Sequence, residues 1–187
     1  MRSLATHDPA TRVLPDHPIV FGVDPGIKHC GWAVLHPGER RAAHGTLRPK
    51  GHLRGVDRHL WLLSRLQDLI SEWQPGVLAF EEFVWREGEH GEKYVVGRPA
   101  MERLIGGIQT LTLYPPYPVL MGLLPSRWGQ QLVGQRSHTK EQVAFAVNCR
   151  LGTAFRGDRW DNHAADAVGL ALVAADTPRL HAAAARR

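Results

Sequence analysis

Asp24 directly follows the apolar run Ile19-Val20-Phe21-Gly22-Val23, and Glu81 directly follows a second one, Val77-Leu78-Ala79-Phe80. An acid at the end of a buried strand sits where side chains leave the core and converge on a cleft. Farther on, His163-Ala164-Ala165-Asp166 spaces two polar groups three residues apart, which puts both on one face of a helix. Three acids drawn into one cleft repel one another, so their clustering makes sense only if cations offset them. Mg²⁺ suits that role, because it is a hard ion that takes carboxylate oxygen, keeps several waters and is completed by the phosphate oxygens of a substrate. Two such ions about 4 Å apart activate a water for in-line attack on a phosphodiester and stabilise the departing oxygen. Mn²⁺ can replace Mg²⁺ on the same ligands. His163 could ligate a metal or move the proton. Each feature also has a plainer account: Asp24-Pro25-Gly26 is an ordinary turn sequence, and one of eleven histidines near a helix start can be a surface residue.

The elements that must position these groups can be read from patterning. Residues 19–23 form a short apolar, β-branched strand ended by the Asp-Pro-Gly turn. Residues 31–36 and 41–47 flank His-Pro-Gly-Glu-Arg, a loop suited to an antiparallel hairpin, so three strands meander in order. Residues 52–73 carry Val56, Leu60, Leu63, Leu66 and Ile70 at helical spacing, with Arg and Asp on the other side. Gln74-Pro75-Gly76 breaks that helix, and 77–80 follow as a buried strand running into Glu81-Glu82. Further helices are expected at 98–113, at 139–149 capped by Ser137 or Thr139, and at 161–175 capped by Asp161 or Asn162, with a fifth strand at 119–124. Ala164, Ala165, Ala167 and Gly169 let the last helix pack closely on a sheet.

A chain of 187 residues suits one α/β domain, since domains commonly run to about 100–200 residues. That domain is expected at 18–176, between a polar, Pro-containing disordered extension at 1–17 and a basic tail at 177–187. Its apolar stretches are interrupted by charge well before the ~20 residues that span a bilayer, and the start lacks a signal-peptide core, so a cytoplasmic protein with no membrane partner is expected. Cys30 and Cys149 match no metal-ligand spacing and are expected to be reduced, buried thiols. The net charge of +5 is unevenly spread: 38–60 and 125–160 each hold six bases against two acids, while 81–102 holds six acids against three bases. Basic zones around an acidic one suit a polyanion bound beside a metal site, although solvated helix faces give the same totals.

Taken together, these residues resemble a known family. Gly-Val-Asp-Pro-Gly-Ile-Lys-His-Cys-Gly-Trp-Ala-Val at 22–34 resembles the opening strand of RuvC-type Holliday junction resolvases. Leu-Ala-Phe-Glu-Glu at 78–82 resembles their second acidic strand, and His-Ala-Ala-Asp-Ala at 163–167 their final acidic helix. Ser-His-Thr-Lys-Glu-Gln-Val at 137–143 looks like their basic helix start, and the set spans about 19–172 in the same order. The resemblance implies a ribonuclease-H-like fold, a mixed five-stranded sheet flanked by helices. It implies a homodimer that makes paired symmetric, Mg²⁺-dependent nicks in a four-way DNA junction, with branch-migration machinery as a further partner. Carried over by position, the catalytic and metal-binding residues are Asp24, Glu81, His163 and Asp166. His163 departs from the family's common all-acid pattern, a variation some members share, and the pattern favours Glu81 over the adjacent Glu82.

DNA contacts can be placed in the same way. Lys140, beside Thr139, Ser137 and Arg136 at a helix start, can receive a phosphate, and otherwise forms an ordinary capped first turn. Phe83, Trp85 and Arg86 follow the second acidic strand, where the family carries an aromatic loop; they can stack on unpaired bases or wedge a branch point, or simply pack. Met101, Leu104, Ile105, Ile108 and Leu111 make an apolar stripe beside Gly106-Gly107, a core face in a monomer and part of the dimer in the family. Three alternatives share some of these features. They are an RNA-processing nuclease of the same superfamily, an actin or sugar-kinase type nucleotide-binding protein, and a junction-binding protein without activity. The nucleotide-binding protein needs a second glycine-rich phosphate motif that the sequence lacks, and the inactive binder would not need every expected acidic position filled.

Overall fold

The structure is a computed structural model in which residues 17–83, 92–158 and 161–177 are described. Among the described residues, five strands and five α-helices follow in the order β1 (Val20–Asp24), β2 (Cys30–His36), β3 (Arg41–Leu47), α1 (Gly55–Trp73), β4 (Val77–Glu81), α2 (Glu92–Thr110), β5 (Val119–Leu123), α3 (Pro125–Val133), α4 (Lys140–Leu151) and α5 (Asn162–Ala175). The sheet order is β3-β2-β1-β4-β5. The expected meander of β1, β2 and β3 is antiparallel, while β4 and β5 run parallel to β1 after helical crossovers.

Period-2 alternation divides the sheet residues between two cores. Val20, Ala33, Leu35, Val77 and Ala79 pack with α3, α4 and α5, whereas Phe21, Val23, Val34, Leu78 and Phe80 pack with α1 and α2. β1 and β4 are therefore buried on both faces, which is why they read as continuous apolar runs. The small residues of α5 bring it down onto β1. A Cβ on Gly22 would collide with the carbonyl oxygen of Ala167 and come within 3.1 Å of both Cβ and N of Ala171. Gly22→Ala is therefore expected to lower stability by about 2 kcal/mol. Urea unfolding measures this, and an unchanged midpoint would show that α5 can lift without cost.

The structure departs from the patterning at several places. Val56 and Leu60 of α1 are 64% and 60% exposed, and the buried stripe is His59, Leu62, Leu66 and Ile70. His59 escapes a search for apolar residues, yet its Nδ1 lies 2.8 Å from the Gly55 carbonyl and its Nε2 2.9 Å from the Ala100 carbonyl of α2. Helix α3 was not expected, although Pro125 at its first turn and Gly134 at φ 86° beyond its end are standard start and stop residues. Cys30 is buried as expected, but Cys149 is exposed because α4 buries Val143, Ala144 and Val147 and residue 149 lies off that stripe. Thr139 caps α4 with a full capping box to Gln142. Asp161 does not cap α5 with its side chain; its carboxylate accepts the backbone N–H groups of Arg156 and Gly157 and folds the preceding loop. Leu104, Ile108 and Leu111 are buried in the chain's own core. Among the described residues, no helix is long and apolar enough to cross a membrane.

Candidate active site

The same alternation decides where the acids point. Asp24 continues the Val20 and Gly22 face of β1, and Glu81 continues the Val77 and Ala79 face of β4, so both face α5. Val23 pairs with Phe80 in parallel register, which puts the two acids one step further on neighbouring strands. Glu82 falls on the opposite face, beside Gly122, in an open pocket lined by Phe80, Phe83, Arg98, Glu102 and Gln109. Glu81 and Glu82 are thus on opposite faces of β4, with Glu81 on the α5 side together with Asp24.

Helix α5 starts over this end of the sheet. Its close approach depends on Gly31, where a Cβ would collide with the carbonyl oxygen of His163. The first turns then hang His163 and Asp166 over Asp24 and Glu81. His163 Nδ1 donates to Asp24 Oδ2 at 2.6 Å. The Asp166 carboxyl is almost fully buried, and its Oδ2 accepts from the Lys140 ammonium at the start of α4. Its Oδ1 is buried with no hydrogen-bond partner among the described residues. Glu81 Oε2 accepts a 2.7 Å hydrogen bond from Trp128 Nε1 of α3.

The electrostatics tie the three acids into one group. Burial, then the charge of Asp24, pushes Glu81 up to about 7, against the opposing Trp128 hydrogen bond and Lys140. Burial and Asp24 also push Asp166 up to about 6, and the nearby Lys140 does not fully offset this. Burial alone would lower the Lys140 pKa, but Asp166, Asp24 and Glu81 together raise it and hold the ammonium charged. Among the described residues, no three His, Cys, Asp or Glu side chains already converge on one ion position. Protein donors hold one oxygen of each acid instead: His163 on Asp24 Oδ2, Lys140 on Asp166 Oδ2 and Trp128 on Glu81 Oε2.

This arrangement has a consequence for stability in the presence of EDTA. Folded Glu81 keeps its proton up to about 7, whereas its ordinary value is 4.5, so the unfolded chain ionises first and stability falls as pH rises from 4.5 to about 7. The penalty is full near pH 8 and vanishes as pH falls below about 5. Glu81→Gln is therefore expected to be more stable than the parent by roughly 2 kcal/mol at pH 8, with the gap closing by pH 5. Denaturant melts at both values test it; a gap that does not narrow as pH falls would contradict the burial argument.

The other expected contact residues are more dispersed. Arg136 lies in the exposed loop before α4 with its Nε 3.2 Å from Gln130 Oε1. Phe83 is exposed at the pocket that also holds Glu82. Trp85 and Arg86 lie outside the described residues. Two groups were not foreseen: Trp128, in a helix that patterning missed, and His29, whose ring lies 5.6 Å from that of His163.

The family described as "Crossover junction endodeoxyribonuclease RuvC" matches residues 20–174. A protein of that name from Cereibacter sphaeroides is 31% identical over 182 residues, covering 89% of this chain and 97% of its own length. One from Ruegeria pomeroyi is 29% identical over 158 residues, covering 82% and 88%. Among solved structures, Thermus thermophilus RuvC in complex with Holliday junction substrate superimposes with a TM-score of 0.65 at 27% identity, covering 84% of this chain and 92% of that one. The mixed five-stranded sheet flanked by helices is thus the ribonuclease-H-like architecture that the motifs implied. With its matched residues running from the first acidic strand to the end of the final acidic helix, this chain belongs to the RuvC family of crossover junction endodeoxyribonucleases.

Proposed function

We propose that this chain resolves four-way DNA junctions by divalent-metal-dependent phosphodiester hydrolysis at Asp24, Glu81, His163 and Asp166. One observation carries the assignment: two strands and a helix bring three carboxylates into one field, and buried Asp166 Oδ1 has no partner among the described residues. A buried carboxylate oxygen left open beside two other acids fits a hard cation, and the raised proton affinity of Glu81 and Asp166 marks a site short of positive charge. The ions are Mg²⁺, two per site, with Mn²⁺ able to substitute. When bound they activate the attacking water and stabilise charge on the departing oxygen.

The chain's own groups do the rest. His163 fixes one oxygen of Asp24 and can carry a proton at the cleft. Lys140 is half-exposed, so its ammonium can exchange Asp166 for a phosphate of the cut strand, and Arg136, in the exposed loop before α4, adds a second positive charge for the DNA. Phe83, Trp85 and Arg86 meet unpaired bases at the branch. Two symmetric nicks require two sites related by a two-fold axis, so the working unit is a homodimer, one that serves branch-migration machinery in the cytoplasm. The nuclease domain is 18–176, with the segments 1–17 and 177–187 as extension and basic tail.

The test is a labelled synthetic four-way junction beside linear duplex of the same sequence, incubated with Mg²⁺, Mn²⁺ or EDTA. Paired nicks in the junction, dependent on metal and absent from the duplex, are expected. Folded protein that leaves the junction intact with either metal would overturn the proposal.

A further inference from the structure

Helix α3 contributes a side chain to the acidic cluster that neither the motifs nor the carboxylates account for. Trp128 is 1% exposed, and an indole nitrogen can only donate, so burying it needs an acceptor. The acceptor it finds is Glu81 Oε2 at 2.7 Å. The ring is held from several sides. The His138 ring meets it edge-on with centroids 5.0 Å apart, in space left open because a Cβ on Gly129 would collide with that imidazole. On another side a Cβ on Gly169 of α5 would come within 3.3 Å of Trp128 Cζ3. A ring so enclosed has one place to put its N–H.

We propose that Trp128 is a positioning residue for the metal centre: its indole N–H holds one oxygen of Glu81 and leaves the other for a divalent cation. This rests on the reading of Asp24, Glu81 and Asp166 as metal ligands. A ligating carboxylate at the end of a strand is free to rotate, and each rotamer that turns away from the cleft weakens the site. Fixing one oxygen removes those rotamers in advance, as partners behind metal ligands commonly do, at about 10-fold to 100-fold in affinity.

The experiment counts bound Mn²⁺ by the loss of the free-ion EPR signal, in protein alone, for wild type, Trp128→Phe, Glu81→Gln and the double variant. Phe keeps an aromatic ring in the slot and removes the donor, at the cost of the second ring's packing. Wild type should bind Mn²⁺, Glu81→Gln should bind it weakly, and Trp128→Phe should lose about 10-fold in affinity. In the Glu81→Gln background Trp128→Phe should change nothing further, because the indole acts only through that carboxylate. Single-turnover cleavage of a four-way junction should show the same shift along the Mn²⁺ axis, with the rate recovering at saturating metal. Should Trp128→Phe not fold, β-(3-benzothienyl)alanine at position 128 replaces the N–H by sulfur in a ring of the same shape and decides the matter. Wild-type affinity in both substitutions, or an equal loss with and without Glu81, would overturn the role of Trp128 and leave the metal centre standing. Absence of Mn²⁺ binding by the wild type would overturn both.

Discussion

Asp24→Asn is expected to leave a four-way junction bound and uncut. Asn has the shape of Asp and its amide oxygen can still accept from His163 Nδ1, so the local packing survives. What disappears is the charge that contributes to raising both Glu81 and Asp166. Without it those two carboxyls move back towards their ordinary range, and the folded state in EDTA should lose no stability. The cleavage rate should fall by about 10³-fold, which corresponds to about 4 kcal/mol of transition-state stabilisation. Binding, which depends on Lys and Arg contacts to phosphates, should change little. A gel-shift titration beside a nicking assay on the same labelled junction separates the two effects. Residual cleavage within tenfold of wild type would remove Asp24 from the centre, and lost binding would mean that the variant damages the DNA surface rather than the chemistry.

How far the sequence discloses this site depends on which physical rule places each group. The ends of β1 and β4 are visible because a run buried on both faces has to stop where a charged side chain begins, and so Asp24 and Glu81 stand out. The choice between Glu81 and Glu82 is not visible in that run, because Val77 to Phe80 are apolar on both faces and show no alternation. Only the packing of α5 against Ala79 and of α1 against Phe80 gives the strand an inside for each parity. The preference for Glu81 came from the family pattern, because periodicity offered none. His163 and Asp166 were legible as a pair from their spacing, and the small residues of α5 explained why that helix lies so close. Trp128 was not legible at all, since a Trp in an unassigned segment gives no sign of the acceptor its N–H will meet 47 residues away in sequence. Val56 and Leu60 failed for the converse reason. They fit a helical period, but His59, satisfied by two carbonyls, occupies the buried face in place of an aliphatic residue.

Lys140→Met should be the second most damaging change, for a reason that divides its two accounts. As the first residue of α4, behind a Thr139 capping box, Lys140 needs no functional explanation. Its ammonium, however, lies on Asp166 and feels the charge of all three acids. Removing it leaves a buried carboxylate that has lost its counterion, yet Asp166 already takes a proton at about 6, which limits the damage. Because the lysine is half-exposed, solvent screens the pair, and the loss at pH 8 should be only on the order of 1 kcal/mol, smaller still at pH 5. Cleavage should fall much further, by about 10²-fold, if the same ammonium meets the phosphate undergoing attack. A phosphate contact also releases a counterion, so the slope of log binding constant against log salt should become shallower by about 1 in the variant. A lysine that only neutralises Asp166 would show the stability loss with an unchanged salt slope. One that only begins a helix would show neither loss, and cleavage would stay near that of the wild type. The three measurements together therefore assign the ammonium to the acids, to the DNA, or to the exchange between them that a half-exposed lysine beside a fully buried carboxylate is built to make.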